Sequence, residues 1–238
     1  MLYLIGLGLN EKGISHEGLE ALKKCKKIYL ENYTVNFPYS VKELEKIIKK
    51  KVINADRNLV EGDFLIKGSK KENIGLLIYG SPLTATTHIS LIQGAEEYGV
   101  KYKVIYGASV FDAIAETGLQ IYKFGKIASM PKWEESYHPT SFMEIVKDNQ
   151  KIDAHSLILI DIGLEIKDAI KELEESSKEE KISFDKILIC SGLGTGKKEI
   201  IYGEIKKLKN AKIKKPYCII IPGKLHFVEE EVLKKFNL

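Results

Sequence analysis

Short apolar runs recur along the chain, and between them hydrophobic residues fall at helical spacing. The runs are LYLIGLG (2–8), KIYLENY (27–33), KVINA (51–55), IGLLIYG (74–80), YKVIYGAS (102–109), KIASMP (126–131), SLILIDIG (156–163), KILICSG (186–192) and YCIIIPG (217–223). Most are continuous rather than alternating, as in strands buried on both faces. Ser15 caps a helix through GLEALKKC, with Leu19, Leu22 and Cys25 on its apolar stripe. Ser40 and Glu43 have the spacing of a capping box ahead of Leu44, Ile47 and Ile48. A helix over 86–98 puts His88, Leu91, Ile92 and Ala95 on one face, with Thr86 or Thr87 able to cap it. Segment 164–182 reads as a helix that gives way to an exposed Ser-Ser-Lys-Glu-Glu loop, and VEEEVLKKF reads as the last helix.

This alternation predicts an α/β protein of two domains with mixed, mostly parallel sheets. A break near Tyr106–Ser109 divides the 238 residues into 1–106 and 107–238. Ligands of such sheets lie beyond the carboxyl ends of the strands. Those ends read GLGLN, YGSPLT, YGASV, DIGLE, SGLGTG and PGKLH, six small and polar edges able to line one cleft.

Composition narrows the partners. No apolar run reaches the ~18 residues of a membrane span, and MLYLIGLG reads as a first strand rather than a signal peptide. Cys25, Cys190 and Cys218 are scattered beside apolar runs, as buried thiols of a reducing cytoplasm. The net charge is +4, but Arg57 is the only arginine and the lysines are mixed with glutamate, as on solvated faces. Neither a nucleic acid nor a membrane is the expected partner.

Several motifs suggest chemistry and fall short of it. GLGLN follows the first strand like a dinucleotide fingerprint, yet the third glycine position holds Glu11 and the helix is delayed past Gly13. SGLGTGKKE resembles a phosphate loop without the Walker spacing. No metal-ligand spacing and no nucleophile elbow occurs. His88 on its apolar stripe reads as a core histidine, while His138 and His226 stand in loops near strand ends. Asp161 interrupts LILIDIG, where a buried charge needs a partner, and with Asp112 and Glu165 it lies nearest a strand end.

More specific is the order of MLYLIGLGLN, Ile14–Cys25, YLENYT (29–34), ADRxxVE (55–61), GSPLTATTH (80–88), GLQIYKFGK (118–126), HPTSF (138–142), LILIDI (157–162) and PGKLHFVEEEVL (223–234). From end to end the chain resembles the diphthine synthases, in the tetrapyrrole-methylase class of S-adenosylmethionine-dependent methyltransferases, and the archaeal ones most. The resemblance implies the tetrapyrrole methylase fold, with S-adenosylmethionine in the cleft between two domains and S-adenosylhomocysteine as product. It also implies a homodimer and a protein substrate, translation elongation factor 2. The family methylates the amino group of a 3-amino-3-carboxypropyl-histidine, and its archaeal members are expected to add three methyl groups. Carried over by motif, the cofactor contacts are Leu9, Ser81, Thr84, Ser109, Val110, Ile160, Leu193 and Tyr217. Ser81 stands where the family has aspartate, and Gly163 where it often has lysine. Asp161 and Asp112 are the candidate proton acceptors, and Tyr122, Phe124, Trp133 and Phe142 the candidate aromatic faces for a methylated cation. The alternatives are a methyltransferase for a small tetrapyrrole-type molecule and a cofactor-binding module without catalysis.

Overall fold

The structure is a computed structural model that describes residues 1–238. It divides into two compact units, Met1–Ala113 and Ile114–Leu238. That boundary falls later than 106/107 because a short helical turn after the fifth strand stays with the first unit.

The first unit holds strands β1 (Leu2–Gly6), β2 (Lys27–Glu31), β3 (Ile53–Ala55), β4 (Ile74–Ile78) and β5 (Tyr102–Ile105). Its helices are α1 (His16–Lys24), α2 (Val41–Ile48), α3 (Arg57–Glu61), α4 (Phe64–Ser69), α5 (Ile89–Glu97) and α6 (Val110–Ala113). The sheet order is β3-β2-β4-β1-β5, every pair parallel. The continuous apolar runs follow from burial on both faces. Leu2 and Leu4 of β1 pack into one core with Leu76 and Leu91. Tyr3 and Ile5 pack into the other with Leu22, Leu30 and Leu44. Ser15 caps α1 by accepting from Gly18 N–H at 3.0 Å, and Ser40 with Glu43 forms the capping box of α2.

The second unit holds β6 (Ala128–Met130), β7 (Ser156–Ile160), β8 (Lys186–Ser191), β9 (Glu199–Glu204) and β10 (Tyr217–Ile221). Around them lie α7 (Ser141–Lys151), α8 (Ile166–Glu179), α9 (Ile205–Leu208) and α10 (Phe227–Leu233). The order is β6-β7-β10-β8-β9. Only β6–β7 is parallel; β7–β10, β10–β8 and β8–β9 are antiparallel. The mostly parallel expectation therefore holds for the first sheet and not for the second.

Two further corrections follow. Residues 199–204, outside the nine expected strands, form a strand paired with β8, so the glycine loop before them joins two strands of a hairpin. A phosphate loop needs a helix there. The segment Ser-Ser-Lys-Glu-Glu does not begin an exposed loop: α8 runs on to Glu179 and Ser176 is fully buried. Ser176 extends the stripe Ile166, Ala169, Ile170 and Leu173 at helical spacing.

Candidate functional site

In the first unit the loops after β1, β4 and β5 meet at the carboxyl edge of the sheet. Gly8 and Gly80 exchange backbone hydrogen bonds of 3.1 and 3.0 Å. A Cβ at Gly6 would lie 2.6 Å from Gly107 N and 2.7 Å from Gly80 O, and one at Gly107 would lie 2.6 Å from Gly80 O. Gly6 and Gly107 thus let three backbones converge where side chains would hold them apart. At Gly80, by contrast, an added Cβ would find only ordinary contacts, at 3.8 Å from Ala108 O and 3.9 Å from Ser109 Cα. Gly80 also has φ +71, so it bends the chain in the left-handed region.

This convergence gathers the residues named for the first unit. Leu9, Ser81 and Ser109 are buried, and Thr84 and Val110 half-buried. Leu9 is held by the Tyr79 hydroxyl, which donates to its carbonyl at 3.1 Å. Thr84 N–H donates to Ser81 O at 3.1 Å, closing a turn. Asp112 accepts from Ser109 N–H at 2.6 Å and from Ser109 Oγ at 3.0 Å. Its carboxylate is engaged in capping α6. Neither threonine caps α5. Thr86 Oγ1 donates to Pro82 O at 2.7 Å, Thr87 Oγ1 donates to Glu61 at 3.1 Å, and His88 occupies the N-cap.

In the second unit Ile160, Leu193 and Tyr217 lie at one edge of the sheet. This follows from the antiparallel pairing, which puts the start of β10 beside the ends of β7 and β8. The Tyr217 hydroxyl donates to Leu164 O at 3.0 Å, and burial pushes its phenol above the ordinary range. Lys215 Nζ donates to Gly163 O at 3.0 Å and pairs with Glu165. Gly163 (φ +76) has no neighbour within 4 Å of an added Cβ. Asp161 is exposed, one residue beyond β7, rather than buried. It accepts from Lys132 N–H at 3.1 Å and Ile162 N–H at 2.7 Å. The neighbouring Trp133 N–H donates to Glu172 at 3.1 Å. Burial raises the Glu172 carboxyl above its ordinary value. Two carboxylates thus anchor the loop on which Trp133 stacks against His138, centroids 4.7 Å apart.

PGKLH does not belong to that edge. Because β10 runs against β7 and β8, it leaves the sheet at the opposite side, where Gly223 N–H donates to His155 Nδ1 at 2.9 Å. There Glu229, fully buried, accepts from His226 N–H (2.7 Å), Gln120 N–H (2.8 Å), Lys123 Nζ (2.5 Å) and His155 Nε2 (3.0 Å). Burial alone would raise this carboxyl, but the donors outweigh it and hold it down at about 2. GLQIYKFGK and PGKLHFVEEEV are therefore two halves of one buried polar contact. His226 caps α10 from this side rather than facing the other edge. A cavity of about 470 Å³ opens beside it, lined by Tyr122, Phe124, Ile152, Lys224, Leu225 and His226 among others. It lies away from the edge that carries Ile160, Leu193 and Tyr217. The four aromatics separate likewise: Phe142 is sealed in the core, Tyr122 is exposed, and Phe124 packs edge-on to His155 at 5.3 Å.

Comparison with known proteins bears on the whole chain. Residues 1–209 match the family model of tetrapyrrole (corrin/porphyrin) methylases. A diphthine synthase of Methanocaldococcus jannaschii is 38% identical over 98% of this chain and 98% of its own length. A diphthine methyl ester synthase of Yarrowia lipolytica is 35% identical over 99% of this chain and 89% of its own. A crystal structure of diphthine synthase superposes with TM-score 0.90 at 31% identity, covering 99% of this chain and 95% of that one. The chain belongs to the tetrapyrrole (corrin/porphyrin) methylases, in the branch of the diphthine synthases, and is a methyltransferase by family.

Proposed function

We propose that this protein N-methylates the 3-amino-3-carboxypropyl-histidine of translation elongation factor 2 with S-adenosylmethionine, yielding diphthine and S-adenosylhomocysteine. The observation that carries the reading is the likeness to proteins named diphthine synthase over 98% of both chains. The close packing at Gly6 and Gly107 brings the loops of Leu9, Ser81 and Ser109 together at one edge of the first sheet, which supports a shared ligand for them. When bound, S-adenosylmethionine supplies an electrophilic methyl group on a good leaving group.

The work left to the protein is positioning. Leu9, Ser81, Thr84, Ser109 and Val110 from the first unit, and Ile160, Leu193 and Tyr217 from the second, are the proposed cofactor contacts. The Ser81 hydroxyl offers a neutral acceptor where the family has a carboxylate, a weaker hydrogen bond to any cationic group. The attacking amine must be neutral, and a desolvated pocket favours that form. Asp112 accepts donors from Ser109 in its own loop, and Asp161 accepts from Ile162 beside it and from Lys132 in the loop after β6, which supports a holding role for both. The protein acts as a homodimer in the cytoplasm, with elongation factor 2 as its protein partner; no helix is long and apolar enough to cross a membrane.

A second reading is favoured by relatives from Yarrowia lipolytica and Dictyostelium discoideum, each 35% identical and named diphthine methyl ester synthase. In it a carboxylate of the adduct is methylated as well. Mass spectrometry of the product decides: an added methyl that mild alkali removes is an ester, and one that survives is on nitrogen. Calorimetry with S-adenosylhomocysteine tests the cofactor itself, and absence of binding would overturn both readings.

A further inference from the structure

Pro82 O receives two side-chain donors at once. Thr86 Oγ1 lies at 2.7 Å and His88 Nδ1 at 3.0 Å. A carbonyl oxygen only accepts, so Nδ1 carries the proton, and its two lone pairs accommodate both donors. The chain between them is held in an uncommon form: Ala85 has φ +54, in the left-handed region that a non-glycine residue rarely adopts. Such a conformation persists where the surroundings over-determine it. The same turn carries Ser81 and Thr84, joined by the Thr84 N–H to Ser81 O bond at 3.1 Å.

The ring itself supplies the second argument. His88 is 1% exposed, and its Nε2 is buried with no hydrogen-bond partner. Burying an unpaired ring nitrogen is unfavourable, and a leucine or phenylalanine would fill an apolar stripe without that penalty. The Nδ1–H bond to Pro82 is what an imidazole adds at this position.

We propose that His88 is a positioning residue for the cofactor: with Thr86 it clamps the Pro82 carbonyl and so fixes the turn that presents Ser81 and Thr84. This rests on Ser81 and Thr84 being cofactor contacts. Asparagine can place an amide N–H where Nδ1 stands, whereas glutamine places its amide one bond further out. His88→Gln and Thr86→Val are each expected to weaken S-adenosylhomocysteine binding and raise KM for S-adenosylmethionine roughly fivefold, the scale of one hydrogen bond. kcat at saturating cofactor stays near the parent value. His88→Asn restores most of the affinity.

Calorimetry and initial-rate kinetics on the full-length variants, with Ser81→Ala and Thr84→Ala alongside, test this. Affinity restored in His88→Asn but not His88→Gln, together with weakened binding in an alanine variant, supports the clamp. Equal behaviour of Asn and Gln, or a lowered Tm with KM unchanged, overturns it while leaving the contact reading intact. Unchanged affinity in both alanine variants overturns the contact reading and the clamp with it. If His88→Gln does not fold, Thr86→Val decides: an unchanged KM overturns the clamp.

Discussion

His155 donates from Nε2 to Glu229 across 3.0 Å while its Nδ1 accepts from Gly223 N–H at 2.9 Å. That pairing fixes the imidazole as neutral, and burial pushes its pKa below the usual histidine value. The two residues join the segment entering β7 to the helix α10 through a contact that excludes water, both side chains being fully buried.

Replacing Glu229 with glutamine leaves the volume and removes the charge that Lys123, His155 and two backbone N–H groups address. Breaking such a buried pair costs about 3 kcal/mol, to be read as a loss in urea-unfolding free energy.

The pH dependence has a defined sign. Glu229 is held at about 2, below the ordinary glutamate value of 4.5, so its contribution is complete above 4.5 and is lost as pH falls towards 2. His155 is lowered from 6.5, so below 6.5 the unfolded chain binds a proton that the folded one refuses. Both effects destabilise on acidification. Unfolding measured from pH 7 to 3 is expected to show stability falling from 6.5 downwards, with the lower part of that slope flattened in Glu229→Gln.

Gly6→Ala puts a methyl group against Gly107 N and Gly80 O, at 2.6 and 2.7 Å. Both neighbours are backbone and cannot swing aside. Destabilisation of about 1–3 kcal/mol is expected, and S-adenosylhomocysteine affinity falls with it because the three loops are spread. A thermal melt and a titration on the same sample check both.

Ser81→Asp introduces a carboxylate at a buried position in the turn proposed to contact the cofactor. If Ser81 touches the cofactor, binding of the cationic S-adenosylmethionine tightens, on the order of fivefold, and more than that of S-adenosylhomocysteine, whose sulfur is neutral. Equal constants for parent and variant would show that the position is not a contact.

Trp133 is the only tryptophan, and its loop is tied down by Asp161. Asp161→Asn is expected to shift the emission of Trp133 as the stack on His138 loosens, while kcat at saturating substrates stays within about threefold, a change of well under 1 kcal/mol in the barrier. A drop of a hundredfold with unchanged emission would instead mark Asp161 as the proton acceptor.

Much of this was legible in the sequence where local physics decides. The run LYLIG dictates a strand buried on both sides, and Ser40 with Glu43 dictates a helix start. Strand direction was not legible in the second unit, because parallel and antiparallel neighbours bury the same isoleucines. That is why PGKLH falls at the opposite edge of its sheet from DIGLE and SGLGTG. β9 escaped notice because EIIYGE is an edge strand, half-exposed along most of its length, after a loop rich in glycine. The Glu229 contact was hidden among the charges of VEEE, where one buried glutamate stands beside the exposed Glu230 and Glu231. Its signal was His226 and Glu229 at the three-residue spacing of a cap. Asp161 shows the converse error: its place in an apolar run suggested burial, but the run ends one residue before it.

The central claim is methyl transfer to elongation factor 2. Incubation of the purified protein with S-adenosylmethionine labelled in its methyl group, and with elongation factor 2 carrying the 3-amino-3-carboxypropyl-histidine, tests it most directly. Label on the factor, in up to three methyl groups on the amine and none on a factor lacking the adduct, is the predicted result. An unlabelled factor, in a reaction where a known diphthine synthase transfers label, would contradict it.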